Sequence, residues 1–296
     1  MKETGMYRLF FVILFCLPGV AVITTAHART HDPVNVFVSI LPQKYLVERV
    51  GGERVIVNVM VRPGLNPETY EPTPKQMAEL NNADLYFRMA VPFESVWIKK
   101  ISSINPEIRI IECCGDLAIN DPVTHEHEFH AGLVNDAHIW TSPQNAIVLA
   151  EIIKSALSEF DPEYADHFEN NYRTLVSELN DLDQHIKAEL TGINNRYLIV
   201  VHPSWGHFAE AYGLQQISIE QHGMEIKARQ LSKLVEFARK ENIHTIYTQK
   251  QFNNASAKIL AREINGRIVE LDPLAEDYIN NLRHVTQAII AGAQPQ

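Results

Sequence analysis

Positive charge is what this chain has least of. Its 26 lysine and arginine residues stand against 36 aspartate and glutamate, a net charge of -10 over 296 residues, so neither nucleic acid nor an anionic membrane surface would be drawn to it. Cysteine is nearly absent, at three. Cys16 falls in an N-terminal apolar run, and the other two, Cys113 and Cys114, are adjacent and could bridge only through a strained ring. No disulfide framework holds the fold together, and the pair reads as two small residues closing a strand that ends at Glu112. Sequence signs of catalysis are also missing. There is no His-Glu-x-x-His pair, no Gly-x-Ser-x-Gly elbow and no phosphate-cradling glycine loop. With 46% hydrophobic side chains, the chain is globular and long enough for two domains of about 100 to 150 residues.

What it has in excess is histidine. Thirteen imidazoles in an acidic chain supply the mixture of nitrogen and carboxylate donors that binds divalent first-row metals. At the N-terminus, Lys2 and Arg8 precede an apolar run from Leu9 to Leu17, followed by Pro18, Gly19 and Ala26-His27-Ala28. The pattern is that of a cleavable secretory signal over residues 1–28, too short and interrupted for a membrane span. Bulky Phe15 before Cys16 speaks against lipoprotein processing. Removing Lys2, Glu3 and Arg8 leaves 24 basic and 35 acidic residues, and the expected product is a soluble, monomeric periplasmic protein.

Beyond the leader, short β-branched runs alternate with stretches of helical spacing, the pattern of α/β units on parallel sheets. Strands are expected at Val34–Ile40, Val55–Val61, Leu85–Met89 and Ile108–Glu112, and again at Tyr197–Val201, Gln216–Glu220, His244–Thr248 and Arg267–Leu271. Between these two sets of four, Phe168, Tyr172, Leu175, Leu179, Leu182, Ile186 and Leu190 recur every three or four residues, marking one long amphipathic helix that starts at Asp161-Pro162. About 30 residues would span some 45 Å. The expected architecture is therefore α/β with two lobes, each a four-stranded mainly parallel sheet flanked by helices, joined by one long rigid helix. The divisions are an N-terminal lobe over 29–160, the helix over 161–192 and a C-terminal lobe over 193–296.

Open α/β sheets bind ligands outside the carboxyl ends of their strands, and polar residues concentrate there. Glu68 follows the second strand, His138 the fourth, His202 the fifth and Asp272 the eighth. Two imidazoles and two carboxylates, two from each lobe, make a four-ligand shell suited to Zn2+ or Mn2+. Each alone has an ordinary explanation as loop acid, helix cap, strand-end histidine or turn former; their convergence is the signal. Thr124-His-Glu-His-Glu-Phe-His130 places His125, His127 and His130 in one acidic loop, either a weak accessory metal loop or a plain solvated one. Glu220 is a candidate outer partner for a ligand imidazole. His207 and His222 are expected in outer or surface roles.

These segments resemble those of the zinc and manganese substrate-binding proteins of bacterial ABC importers, the group with two lobes joined by a long helix. The resemblance covers nearly the whole chain after the leader. Pro63 to Pro74 is similar to the family's Pro-Gly-x-x-Pro-His-x-Tyr-Glu-Pro-Thr-Pro, and Asp136-Ala137-His138-Ile139-Trp140 to its Asp-Pro-His-x-Trp. His202 with Trp205-Gly206 and Tyr212-Gly213-Leu214, and Asp272-Pro273-Leu274, match two further motifs. Position by position, the resemblance places the family's metal ligands on Glu68, His138, His202 and Asp272. Two departures stand out. Glu68 replaces the family's first histidine and Ala137 its proline, and oxygen for nitrogen hardens the site toward Mn2+ or Fe2+, although zinc binds most mixed sites more tightly.

The resemblance implies capture of a divalent ion, zinc first, in an interlobe cleft and delivery to a membrane permease with its ATPase, with no catalysis. A small lobe motion would accompany it rather than wide hinge closure. Two other classes stay open on the residues alone: a metal-dependent hydrolase, if one of the four donors does not bind and water takes its place, and a metal-binding adhesin.

Overall fold

Both sheets form where the β-branched runs predict them. The structure, a computed structural model, describes residues 32–114, 136–221 and 224–294; the leader, His125, His127, His130 and His222 lie outside them. In the first lobe, β1 (Val34–Val38), β2 (Val55–Val59), β3 (Leu85–Arg88) and β4 (Arg109–Glu112) pair in the order β2-β1-β3-β4, every pairing parallel. Helices α1 (Leu41–Gly51), α2 (Pro74–Leu80) and α3 (Pro92–Ile104) connect them. Each carries proline in its first turn, where the ring's fixed φ suits a helix start and its missing N–H costs nothing.

Helix α4 (Pro143–Phe160) then leads into the connecting helix α5 (Ala165–Leu190). The second lobe holds β5 (Tyr197–Val200), α6 (Gly206–Ala211), β6 (Gln215–Ser218), a two-stranded antiparallel hairpin β7–β8 (Glu220–Gln221, Met224–Glu225), α7 (Ala228–Lys240), β9 (Thr245–Thr248), α8 (Ala255–Glu263), β10 (Arg267–Glu270) and α9 (Tyr278–Gly292). Its main sheet runs β10-β9-β5-β6, all parallel. With the strands renumbered from each lobe's start, both sheets have the order 2-1-3-4. Each therefore has its topological switch point between its first and third strands, at β1/β3 and β5/β9.

The structure shifts several expected ends. Ser39 and Ile40 leave β1 because Ser39 N–H turns to Gln43 Oε1 at 2.9 Å and Ile40 becomes the residue before α1. Strand β6 starts one residue earlier than expected and stops at Ser218, and Glu220 pairs in the small hairpin instead. The long helix is preceded by a separate 3-10 turn, Pro162–Tyr164. There the Asp161 carboxylate is held by Arg54 at 2.7 Å, and the Arg54 guanidinium lies 3.9 Å over the Tyr164 ring. The 26 residues of α5 correspond to about 39 Å. Its apolar stripe, Phe168, Leu175, Leu179, Leu182, Ile186 and Leu190, is buried throughout.

One hydrophobic core runs from the first sheet through α4 and α5 to Leu198, Val200, Trp205, Phe208, Leu271, Tyr278 and Val285 of the second lobe. A smaller cluster covers the other face of the second sheet. Close-packed cores resist shear, so a shared core couples the lobes more firmly than a linker would. Cys113 and Cys114 are both buried free thiols at the end of β4. Burial pushes both thiols up, Cys114 to about 12, which makes them poor nucleophiles and poor metal ligands at neutral pH.

Candidate metal centre

Local structure fixes each donor-bearing loop before any ligand arrives. The loop carrying Glu68 leaves β2 and enters α2 through a capping box, in which Thr73 and Gln76 satisfy each other's backbone N–H groups. Gln76 also donates to Met60 O at 2.7 Å and its Oε1 accepts from Tyr70 Oη at 2.5 Å, so one buried amide ties both ends of the loop. Asn66 Oδ1 accepts the Glu68 N–H at 2.9 Å, and Phe93 N–H reaches Pro67 O at 3.3 Å. The Glu68 side chain remains 30% exposed, open to the cleft.

His138 sits on the turn before α4. Asp136 Oδ1 accepts both its backbone N–H at 2.9 Å and its ring, with Nδ1 at 2.7 Å. Burial alone would raise the Asp136 carboxyl, but the adjoining His138 outweighs it and holds the group below its ordinary value. The next turn is locked to the second lobe: Trp140 Nε1–H donates to Pro273 O at 2.7 Å, and Tyr278 Oη donates to Trp140 O at 2.6 Å. The residue after His138's turn is thereby fastened to the residue after Asp272.

His202 leaves the end of β5 at the switch point of its sheet and is buried. Its ring stacks on Phe252, from the loop after β9, with centroids 4.0 Å apart and planes at 11°. Glu220 Oε2 lies 3.2 Å from Nδ1, and Glu68 Oε1 lies 3.0 Å from Nε2. Nε2 nevertheless has no hydrogen-bond partner: the Glu68 oxygen is near it but off the N–H direction. Two donors on one zinc ion at about 2.1 Å each sit roughly 3.4 Å apart in a tetrahedron, close to the observed spacing. Burial lowers the His202 ring's affinity for a proton, but carboxylates facing its two nitrogens prevail and raise it to about 9. His202 in turn holds Glu68 below the ordinary carboxylate value, against the opposing effect of burial.

Of the sequence-predicted residues, Glu68, His202 and Glu220 present donor atoms within 4.8 Å of one another. His138 meets His202 ring to ring at 5.4 Å, inclined at 72°. Nδ1 of each ring is engaged by a carboxylate, which leaves Nε2 as the nitrogen each has for an ion, the arrangement in which an outer partner fixes tautomer and orientation. Asp272 lies apart from that group. Its Oδ1 accepts Leu274 N–H at 2.8 Å, its main chain is held by Asn281, and it lines a cavity beside the site. His207 is buried, with Nε2 3.1 Å from Asp136 O, and joins the second lobe to the backbone that carries His138.

A family model described as the zinc-uptake complex component A, periplasmic, matches residues 36–292. The chain belongs to this family. Zinc-uptake component A proteins are solute-binding components of ABC importers, and the two-lobed fold with its long connecting helix is theirs. A crystal structure of ZnuA superimposes with a TM-score of 0.81 at 35% identity, covering 89% of this chain and 100% of that one. A zinc-bound deletion mutant of ZnuA gives 0.82 at 35% identity, covering 90% and 100%. A candidate metal-binding protein of Chlamydia trachomatis serovar D is 31% identical over 284 residues, 95% of this chain and 98% of its own. The zinc-binding protein AdcA of Streptococcus pyogenes is 27% identical over 262 residues, and the match spans only 50% of AdcA's length.

Sequence reasoning missed several residues of the site. Asp136 stands inside the His138 motif, and a carboxylate two residues before a candidate ligand was a readable sign of an orienting group. Phe252 had no such sign, because only the β5/β9 pairing brings it to His202. Nor does any spacing reveal the link from Trp140 to Pro273, which depends on how the two lobes meet.

Proposed function

We propose that this protein captures one divalent transition-metal ion between its lobes, zinc first, and delivers it to the permease of an ABC importer. Glu68, His138 and His202 are the inner donors, and Asp272 is the fourth, reached across the adjoining cavity. The observation that carries this reading is the buried His202 Nε2, without a hydrogen-bond partner beside the Glu68 carboxylate. The two atoms face each other at 3.0 Å without forming a hydrogen bond, and a metal between them would satisfy both at once. Two carboxylates would neutralise a divalent ion and lower the cost of burying it. The shared core supports small lobe movements, so release would come from contact with the permease rather than from wide opening.

The oxygen donor at Glu68, in place of the histidine of the motif it resembles, favours a second reading of the same role, transport of Mn2+ or Fe2+. Elemental analysis of protein purified from periplasm without added metal separates the two, zinc at about one equivalent being the expected result. Loss of high-affinity zinc uptake on deleting the gene is expected as well. Hydrolytic turnover abolished by His138→Ala would overturn the transport reading in favour of an enzyme, and intact uptake with lost surface attachment would favour an adhesin.

A further inference from the structure

The turn that carries His138 is gripped by a residue of the other lobe. His207, the second residue of α6, is buried and gives both ring nitrogens to the first lobe. Nε2 lies 3.1 Å from Asp136 O. A carbonyl only accepts, so Nε2 carries the proton and donates, and Nδ1 is left as an acceptor, 3.4 Å from Asn145 Nδ2. Asp136 precedes His138 by two residues, and Asn145 sits in the first turn of α4, which follows it. One buried imidazole thus brackets the His138 turn on both sides.

What the bracket fixes is a single dihedral. The direction of the Asp136 carbonyl is set by ψ of Asp136, and the hydrogen bond from His207 settles it. The side chain of the same residue accepts His138 N–H at 2.9 Å and faces Nδ1 of the His138 ring at 2.7 Å. A change in ψ of Asp136 would swing residues 137 and 138 away from that carboxylate and break both contacts. Residue 137 is alanine, where the motif this segment resembles has proline. A proline there would keep Asp136 out of the helical region by itself. It would also fit, because the Ala137 N–H makes no hydrogen bond among the described residues and its φ lies outside the left-handed region. His207 therefore restrains from the second lobe the dihedral that a proline would restrain in place.

We propose that His207 is a positioning residue for the metal centre, holding the Asp136 main chain so that the Asp136 carboxylate orients His138. The inference rests on the metal-capture reading and adds to it a residue that sets affinity without touching the ion. It also makes the lobes interdependent. The first-lobe imidazole is aimed only while α6 of the second lobe is seated, so a shift of α6 that breaks the Asp136 contact loosens the grip on the ion.

Two measurements on the full-length mature chain test this: zinc affinity by competition with a chromophoric chelator, and the tautomer of the His138 ring in metal-free protein by proton–nitrogen correlation spectra. His207→Phe keeps an aromatic ring but donates nothing, and is expected to bind zinc about tenfold more weakly, the scale of a lost outer partner. Its His138 ring should show a mixture of tautomers where wild type shows the proton on Nδ1. His207→Gln, whose amide can still donate to Asp136 O, should stay within about threefold of wild type. The decisive variant is His207→Phe combined with Ala137→Pro, which should recover both the affinity, to within about threefold, and the single tautomer. If His207→Phe does not fold, His207→Asn, too short to reach Asp136 O, takes its place. Wild-type affinity and an unchanged His138 spectrum in His207→Phe would overturn the proposal. A loss that Ala137→Pro leaves unrepaired would overturn it too, since the effect would then come from packing of α6. Wild type that held no zinc would instead sink the capture reading, while the His138 spectra would still show whether His207 orients that ring.

Discussion

The two lobes are built on the same strand order, yet their switch points are used in opposite ways. At the β5/β9 crevice of the second lobe, the chain presents an imidazole: His202, flat against Phe252, with one nitrogen committed to Glu220 and the other facing Glu68 at 3.0 Å without a hydrogen bond. At the corresponding β1/β3 crevice of the first lobe, the chain fills the space with its own polar groups. Ser39 Oγ meets Tyr86 Oη at 2.8 Å and also the carboxylate of fully buried Glu94, which accepts Met89 N–H at 2.9 Å. The first lobe's donors, Glu68 and His138, come from loops after flanking strands instead. A common topology thus offers two equivalent crevices, and side-chain chemistry decides which is a site and which is a plug.

The largest effect should come from breaking the open crevice. His202→Ala removes the one buried donor and is expected to weaken zinc binding by more than about 100-fold, beyond what loss of an outer partner costs a metal site. A competition titration against a chromophoric chelator reads it. Glu68→Ala should cost less, since the partly exposed carboxylate can be replaced by water. Equal losses in the two variants would mean that the lobes contribute symmetrically, and no loss in Glu68→Ala would remove Glu68 from the inner shell.

Next in size are the groups that aim the rings. Glu220→Gln and Asp136→Asn each leave the inner donors in place but weaken the hold on a ring Nδ1, and each is expected to reduce affinity by roughly 10- to 100-fold. One acts through each lobe. A loss in Glu220→Gln with none in Asp136→Asn would show that only the second lobe's imidazole needs an outer partner.

Much of this was legible in the residues alone. Eight β-branched runs located the eight strands of the two main sheets. The inner strands β1, β3, β5 and β9 are largely buried and so mainly apolar along their length, while the edge strands β2, β4 and β10 keep exposed positions. The stripe from Phe168 to Leu190 located the long helix for the same reason. Glu68, His138, His202 and Asp272 could be named because strand ends are where open sheets bind. What sequence could not supply was distance. That Glu220 and Glu68 face opposite nitrogens of His202, while Asp272 turns to a cavity, depends on side-chain directions at the meeting of two lobes. The start signal at Asp161-Pro162 was readable, but the separate 3-10 turn at Pro162–Tyr164 and the Arg54 contact that holds Asp161 from 107 residues earlier were not.

The pH response sharpens the contrast, because protons compete for the open crevice. In the metal-free protein the His202 ring titrates at about 9, above the ordinary 6.5, and metal binding requires the neutral ring. Between these values, binding zinc should release a proton, and apparent affinity should fall by up to tenfold for each pH unit below about 9. Stability moves the other way in the metal-free chain. A raised folded-state value contributes stability that is fully present below about pH 6.5 and is lost as pH rises through about 9. The gap in Tm between zinc-loaded and metal-free protein should therefore widen from pH 6.5 to 9. A constant gap would mean that Glu220 and Glu68 do not hold a proton on His202.

The smallest effect belongs to the closed crevice. Burial raises the Glu94 carboxyl from 4.5 to about 7, with hydrogen bonds from Ser39 and Met89 and the nearby Arg88 opposing it only in part. Its proton is held more tightly in the folded state, so its contribution to stability is full below about pH 4.5 and lost as pH rises through about 7. The span of the shift sets an upper bound of roughly 3 kcal/mol. Glu94→Gln keeps the shape and an acceptor for Met89 N–H but cannot ionise. Metal-free Glu94→Gln should therefore lack the part of the wild-type decline in Tm that falls between pH 4.5 and 7, while its zinc affinity at pH 7.5 stays within about threefold, since none of its partners touches the candidate ligands. If Glu94→Gln instead lost zinc as severely as His202→Ala, the first-lobe crevice would be part of the site and the division of labour between the lobes would be wrong.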